Sequence, residues 1–129
     1  MKVLLVNGSP HKNGCTHRAL QEIQMQLKKE AIDSEIFWIG STVQGCIGCC
    51  QCQESGTCVF DDILKIFLEK AKDTDGFIFG SAVYYGSSTG SLSSFMDRLF
   101  FSGSSYLENN QLSQLFPVAE EVLLNPSPR

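Results

Sequence analysis

Two stretches of the chain carry side chains whose types and spacing can do chemistry. Between Gly40 and Phe60 lie five of the six cysteines, and Cys46, Cys49, Cys52 and Cys58 follow the pattern C-x2-C-x2-C-x5-C, with Cys50 as an extra thiol. Structural zinc usually draws its ligands from two knuckles a dozen or more residues apart, because a tetrahedron needs chain arriving from two sides. Here all four thiols fall within thirteen residues. A compact C-x2-C-x2-C run suits a cubane, since thiolates so spaced reach adjacent iron corners and a fourth arrives after a short excursion. Gly45, Gly48 and Gly56 would let the backbone bend close to the sulfides. Three chemistries stay open on these residues: a [4Fe-4S] cluster, a set of reduced or redox-active thiols, and zinc. Nucleophilic catalysis is weaker, because the two histidines, His11 and His17, belong to a different stretch.

That second stretch is KVLLVNGSPHKNGCT, Lys2 to Thr16. Val3 to Val6 read as a short strand buried on both faces, because a half-buried strand would alternate with polar residues. After Asn7 comes a polar, glycine-bounded loop, and a helix begins directly behind it. A strand feeding a loop feeding a helix N-terminus offers unpaired N–H groups and the positive end of a helix dipole to one anion. The segment is neither of two familiar phosphate loops. Five residues, not four, separate Gly8 from Gly14, Cys15 stands where the P-loop lysine would be, and no GxGxxG occurs. The alternative is an ordinary strand-to-helix turn with no ligand.

Several elements must position these residues. Leu20, Ile23, Leu27 and Ala31 recur at helical spacing from Thr16 to about Glu30, with His17 in the first turn. Ser34 to Ile39 is rich in strand formers, and Trp38, within that strand and not at its C-terminal end, reads as core. Gly40 to Phe60 has neither period and reads as loop. Asp61 is expected to cap a helix carrying Ile63, Leu64, Phe67, Leu68 and Ala71, with Asp62 compensating its dipole and not serving as a catalytic carboxylate. A turn at Asp73 to Gly76 leads into a strand at Phe77 to Phe79. Leu92, Phe95, Met96 and Leu99 mark a further helix, on which Asp97 and Arg98 are expected to pair within or near the helix.

Between that strand and that helix lies a second Gly/Ser-rich loop, GSAVYYGSSTGS, Gly80 to Ser91. In an open parallel sheet of order 2-1-3-4-5, ligands bind beyond the C-terminal strand ends at the crevice between strands one and three. The two loops should therefore meet. Tyr84 and Tyr85 offer flat apolar faces with polar tips, suited to a tricyclic ring, and backbone groups from Ser81 through Ala82, Val83 and Gly86 to Ser87 can hydrogen-bond its edge. The bland alternative is that Tyr84 and Tyr85 pack beneath the loop.

These loops resemble the two signatures of the flavodoxin-like NADPH-dependent FMN reductases, "GSPRKNGNT" and "SPVYYGSVSGQLKAFLDRLFYS". Gly8, Ser9, Pro10, Lys12, Asn13, Gly14 and Thr16 match the first; His11 and Cys15 depart, Cys15 replacing a residue that usually carries an amide. Ala82 replaces a proline of the second. The cysteine spacing resembles the iron–sulfur flavoprotein branch, which holds a [4Fe-4S] cluster in the loop after strand two. The resemblance implies a flavodoxin-like α/β sandwich with a parallel sheet, FMN held by Ser9, Lys12, Asn13, Cys15 and Thr16 at its phosphate and by residues 81–87 at its ring, and Cys46, Cys49, Cys52 and Cys58 on the cluster. It also implies NAD(P)H as electron donor, a small-molecule or protein electron acceptor, and a homodimer.

The match covers Met1 to Tyr106. Residues 107–129 form an atypical tail with one brief apolar segment, Val118 to Leu124, so strands four and five are expected to be missing and strand three to lie bare at the sheet edge. The expectation is of an incomplete domain over residues 1–106, the product of a truncation or frameshift. Two further readings follow: an electron carrier that uses no nicotinamide, and a remnant that binds no flavin. At 129 residues and a formal charge of -4, the chain reads as one domain without a nucleic-acid or anionic-membrane surface. No run approaches the roughly 18 apolar residues of a membrane span, and a cytoplasmic protein is expected, in which clustered cysteines are not a disulfide framework.

Overall fold

Alternation along the first strand decides the layering. In Lys2–Asn7 every residue after Lys2 is buried, and successive side chains point to opposite faces of a sheet. Val3 and Leu5 join Leu20 on one face, with Ile23 and Leu27 packed against them; Leu4 and Val6 join the larger cluster of Phe37, Leu64, Phe67, Phe77, Phe79, Phe95 and Leu99 on the other. Among the described residues, the helix carrying Leu20 therefore covers the first face, and the helices carrying Phe67 and Phe95 cover most of the second.

The computed structural model describes residues 1–107 and 117–120. In chain order its elements are β1 (Lys2–Asn7), α1 (Cys15–Lys29), β2 (Asp33–Trp38), α2 (Gln51–Ser55), α3 (Ile63–Ala71), β3 (Gly76–Tyr84), β4 (Ser87–Ser88), α4 (Gly90–Ser102), α5 (Ser104–Leu107) and β5 (Pro117–Glu120). β1 pairs in parallel with β2 on one side and β3 on the other. This is the flavodoxin-like α/β arrangement, with central order 2-1-3. None of the described helices is long and apolar enough to cross a membrane.

Five details differ from the sequence reading. β3 is not an edge, because β5 pairs with it in parallel, Phe79 opposite Pro117 and Ala82 opposite Glu120; four main-chain pairs outweigh the weak apolar signal of that short segment. The rest of Val118 to Leu124 lies outside the described residues. β3 also runs on to Tyr84 and β4 follows at Ser87–Ser88, so seven of the twelve residues of the expected second loop are strand. Asp62, not Asp61, caps α3: its carboxylate accepts the Leu64 N–H at 3.3 Å, while Asp61 pairs with Lys65 one turn on at 3.3 Å. The cysteine loop contains one short helix, α2. Trp38 is the last residue of β2 and only half-buried, so its ring is not core.

Phe67 is the hub of the larger core. It is fully buried, and its ring meets Phe37 at 5.3 Å, Phe77 at 5.6 Å and Phe95 at 5.1 Å between centroids, so it ties α3 to β2, β3 and α4. The contacts with Phe37 and Phe95 are edge-to-face, a geometry that adds to plain burial. Phe67→Ala should cost about 3–5 kcal/mol of stability, read as a lowered midpoint in chemical denaturation; a loss below about 1 kcal/mol would show that the cluster can collapse around the void.

Candidate functional site

Trp38 and Asn7 stand side by side at the C-terminal ends of β2 and β1, and Gly80, midway along β3, is Asn7's neighbour on the other side. Asn7 is wholly buried, and its side chain makes two bonds into the loop that follows: Oδ1 accepts the Ser9 N–H at 3.0 Å and Nδ2 donates to the Lys12 carbonyl at 3.1 Å. Gly8 donates to the Gly80 carbonyl at 2.8 Å, and its own carbonyl accepts the Thr89 hydroxyl at 2.7 Å. A Cβ on Gly8 would lie 2.8 Å from Leu92 Cβ and 3.0 Å from the Gly80 oxygen. Only glycine permits that approach.

So held, the loop delivers donors to one place. The first bond of α1 runs from Arg18 N–H to the Gly14 carbonyl, and among the described residues no protein acceptor meets the N–H groups of residues 15–17. Thr16 is 4% exposed, and its hydroxyl likewise has no partner among the described residues. Buried hydroxyls are normally bonded. Consecutive free N–H groups at a helix N-terminus, one buried hydroxyl and the Lys12 ammonium form a cradle for an anion. Ser9 is buried; its hydroxyl accepts the His11 N–H at 3.2 Å and keeps its proton to donate. Asn13 and Cys15 are exposed on the same rim.

The second stretch meets the first through Gly8. β3 turns into β4 through Tyr85 (φ 51°) and Gly86 (φ 73°), with Tyr84 opposite Ser87. Two consecutive left-handed residues make a type I′ hairpin, whose twist matches the flanking strands. Tyr84 is half-exposed and Tyr85 fully exposed, which excludes packing beneath the loop. Ser81 and Ala82 are buried; the Ser81 hydroxyl donates to the Ala82 carbonyl at 2.7 Å and accepts the Thr89 N–H at 3.0 Å, so it is committed internally. Val83 is half-buried, leaving Tyr84, Tyr85, Gly86 and Ser87 at the surface.

The cysteines form a separate feature. All six are free thiols, and Cys46, Cys49, Cys50, Cys52 and Cys58 line one pocket walled by Arg98 and Phe101. Gly48 and Cys50 take left-handed torsions, φ 68° and 59°, that fold the loop back on itself. As placed, no three cysteine, histidine or acidic side chains among the described residues converge closely enough to hold a metal ion. The donor set is that of a thiolate-ligated centre; its closure is not formed.

Sequence reasoning missed what anchors this pocket. Arg98 is 1% exposed and joins Asp62, not a neighbour on its own helix: Nη1 and Nη2 donate to the two carboxylate oxygens at 2.7 and 2.8 Å. Its Nε and Nη2 also donate to Cys58 Sγ at 3.4 Å each, Nη1 donates to the Gln44 carbonyl at 3.0 Å, and its face lies 5.1 Å from the Phe60 ring. The guanidinium thus holds both ends of the cysteine loop. Hydrogen bonding to Arg98 keeps the Asp62 carboxyl below its ordinary range, and the same bond raises the Arg98 guanidinium. An arginine inside an apolar helix face, with an aspartate at the start of the preceding helix, was the available signal.

Comparison with known proteins places this geometry. The family model for NADPH-dependent FMN reductase matches residues 1–114. An iron-sulfur flavoprotein of Methanocaldococcus jannaschii is 38% identical over 100 residues, covering 76% of this chain and 51% of the relative. One from Archaeoglobus fulgidus is 34% identical over 99 residues, covering 76% and 48%. The chain spans about half the length of the relatives it matches. Among solved structures, RosB with a bound 8-demethyl-8-formylriboflavin-5'-phosphate intermediate aligns at a TM-score of 0.66 and 12% identity, over 98% of this chain and 68% of that one. Smu.1420 from Streptococcus mutans aligns at 0.62 and 13% identity, over 98% and 90%. At such identities the likeness concerns the fold.

The Asp62–Arg98 pair gives a pH signature. With its folded pKa lowered, Asp62 contributes stability that is complete above the ordinary carboxylate range, about pH 4, and lost as pH falls through the folded value. Asp62→Asn leaves the Arg98 charge buried and unpaired, at a cost of about 3 kcal/mol near neutral pH. Denaturation at a series of pH values should show the gap between wild type and variant narrowing below about pH 4; a gap constant down to pH 3 would contradict the assignment.

Proposed function

Because the chain belongs to the NADPH-dependent FMN reductase family, we propose that it binds FMN between its two strand-end loops and passes electrons from reduced nicotinamide through that flavin to a second acceptor, a small molecule or a protein. The observation that carries this reading is the row of free N–H groups over residues 15–17 beside the buried Thr16 hydroxyl, which has no partner among the described residues, joined through Gly8 to Gly80 and Thr89 on either side of the exposed tyrosine hairpin. A bound flavin supplies a ring that accepts hydride at N5 and releases electrons singly or in pairs.

The residues divide the work. The phosphate is taken by the N–H groups at the start of α1, by the Ser9 and Thr16 hydroxyls and by the Lys12 ammonium, with Asn13 at the rim. Cys15 offers its backbone N–H there; its thiol is a weaker donor than an amide. The ring is met by Tyr84, Tyr85, Gly86 and Ser87, while Ser81, Ala82 and Val83 hold the hairpin at the right height. No side chain needs to move a proton, so the chain's task is to position the ring and keep its phosphate fixed.

The cysteine pocket supports a second component of this reading, a [4Fe-4S] cluster held by Cys46, Cys49, Cys52 and Cys58, because five thiols line one pocket and relatives carry the name iron-sulfur flavoprotein. Anaerobic reconstitution followed by iron and acid-labile sulfide analysis tests it. Cys52→Ser should lose most of the iron and Cys50→Ser should keep it; equal losses would assign Cys50 to the ligand set, and a chain that takes up no iron would leave the thiols as thiols.

Two measurements test the flavin reading. Purified protein titrated with FMN should develop a bound-flavin spectrum that NADH or NADPH bleaches anaerobically and an added acceptor restores; bound FMN that neither nucleotide reduces would mark a carrier in place of an enzyme. Thr16→Val keeps shape and loses one donor to a charged group, so FMN affinity should fall about tenfold or more; unchanged affinity would place the phosphate elsewhere.

A further inference from the structure

The single tryptophan of the chain stands where the sequence gives it no evident task. Trp38 ends β2, directly beside Asn7, and is half-buried. Its indole N–H donates to the Ser9 carbonyl at 2.9 Å, and the Lys12 ammonium lies 5.6 Å from the centroid of its ring. Asn7 already holds the Ser9 N–H and the Lys12 carbonyl, so with Trp38 both main-chain groups of Ser9 are fixed. The one cation in the loop lies against the same indole.

We infer that Trp38 is a positioning residue that sets preference for the phosphorylated flavin over riboflavin. The inference rests on the flavin reading above and names its phosphate as what Trp38 serves. The indole supplies no donor to the anion itself and acts through Ser9 and Lys12. It holds the Ser9 carbonyl turned away from the anion, which keeps the N–H groups of residues 15–17 facing it, and it stations Lys12 by attraction to the ring face. A loop fixed before the ligand arrives binds tighter, because its ordering cost is already met by protein contacts. A ligand without the phosphate gains nothing from either contact. The two contacts are separable: phenylalanine keeps a ring for Lys12 and lacks the N–H, whereas leucine lacks both.

The experiment compares FMN and riboflavin binding to wild type, Trp38→Phe and Trp38→Leu, with thermal midpoints confirming that each variant is folded. Trp38→Phe should weaken FMN about fivefold, the worth of one neutral hydrogen bond, and Trp38→Leu further, while riboflavin changes less than twofold. Lys12→Gln, at an exposed position, should weaken FMN in wild type and much less in Trp38→Leu, because a lysine without its platform has already lost its station. Equal losses for both flavins, or none for FMN, would overturn the inference. If wild type binds neither flavin, the flavin reading fails, and the cradle is then read with inorganic phosphate. Phosphate should raise the thermal midpoint of wild type more than that of Trp38→Phe, and the absence of that difference would likewise overturn the role of Trp38.

Discussion

The seam between β1 and β3 is the contact on which the rest depends. Their pairing brings Asn7 beside Gly80 and lets Gly8 bond the Gly80 carbonyl directly, so the loop after β1 is tied to β3 four residues before that strand ends and, through the Thr89 hydroxyl, to the far end of the stretch that follows it. Nothing larger than hydrogen fits at Gly8. With the loops joined, Asn7 can spend a buried amide on both ends of the first one, a use of a polar side chain inside a core that is stable because both its groups are satisfied. The free N–H groups at the start of α1 are the complement of this: the loop is held by Asn7, Gly80 and Thr89 and leaves those donors without protein acceptors among the described residues.

α4 connects this seam to the thiols. Its capping residue, Thr89, accepts the Leu92 N–H and donates to the Gly8 carbonyl, while Arg98 nine residues along grips Gln44, Cys58 and Asp62. At about 1.5 Å per residue, the two grips are about 13 Å apart along one rigid axis. The two Gly/Ser-rich stretches and the cysteine pocket are therefore referenced to the same helix, and neither can be displaced without straining the other. A buried guanidinium is costly unless its partners are arranged around it; here Asp62, a carbonyl, a thiol and a ring surround it.

Much of this was legible beforehand. The uninterrupted apolar run at Val3 to Val6 announces a strand covered on both faces, and the helical period of Leu20, Ile23 and Leu27 announces its cover, because burial imposes these patterns locally. The strand, loop and helix start in succession around Ser9, Lys12 and Thr16 were legible for the same reason. What stayed hidden depends on residues far apart in the chain. Arg98 read as part of a local pair because nothing near it in sequence reveals Asp62 or Cys58. Trp38 read as core because strand ends cannot be fixed to one residue by propensity. β5 was missed because four residues carry little period, and its place is set by the unpaired edge of β3.

The same sheet order has a temporal side. β1 and β3 are neighbours in space but about seventy residues apart along the chain, and β5 joins later still. Parallel neighbours of this kind cannot zip from a hairpin; the intervening segment must first be drawn into a closed circuit, which makes assembly slow compared with a helical bundle of equal length. On the ribosome, α1 and β2 emerge with β1 before its second neighbour exists. The nascent chain therefore carries one unmated flank of its central strand until β3 arrives, an interval in which a chaperone has something to hold.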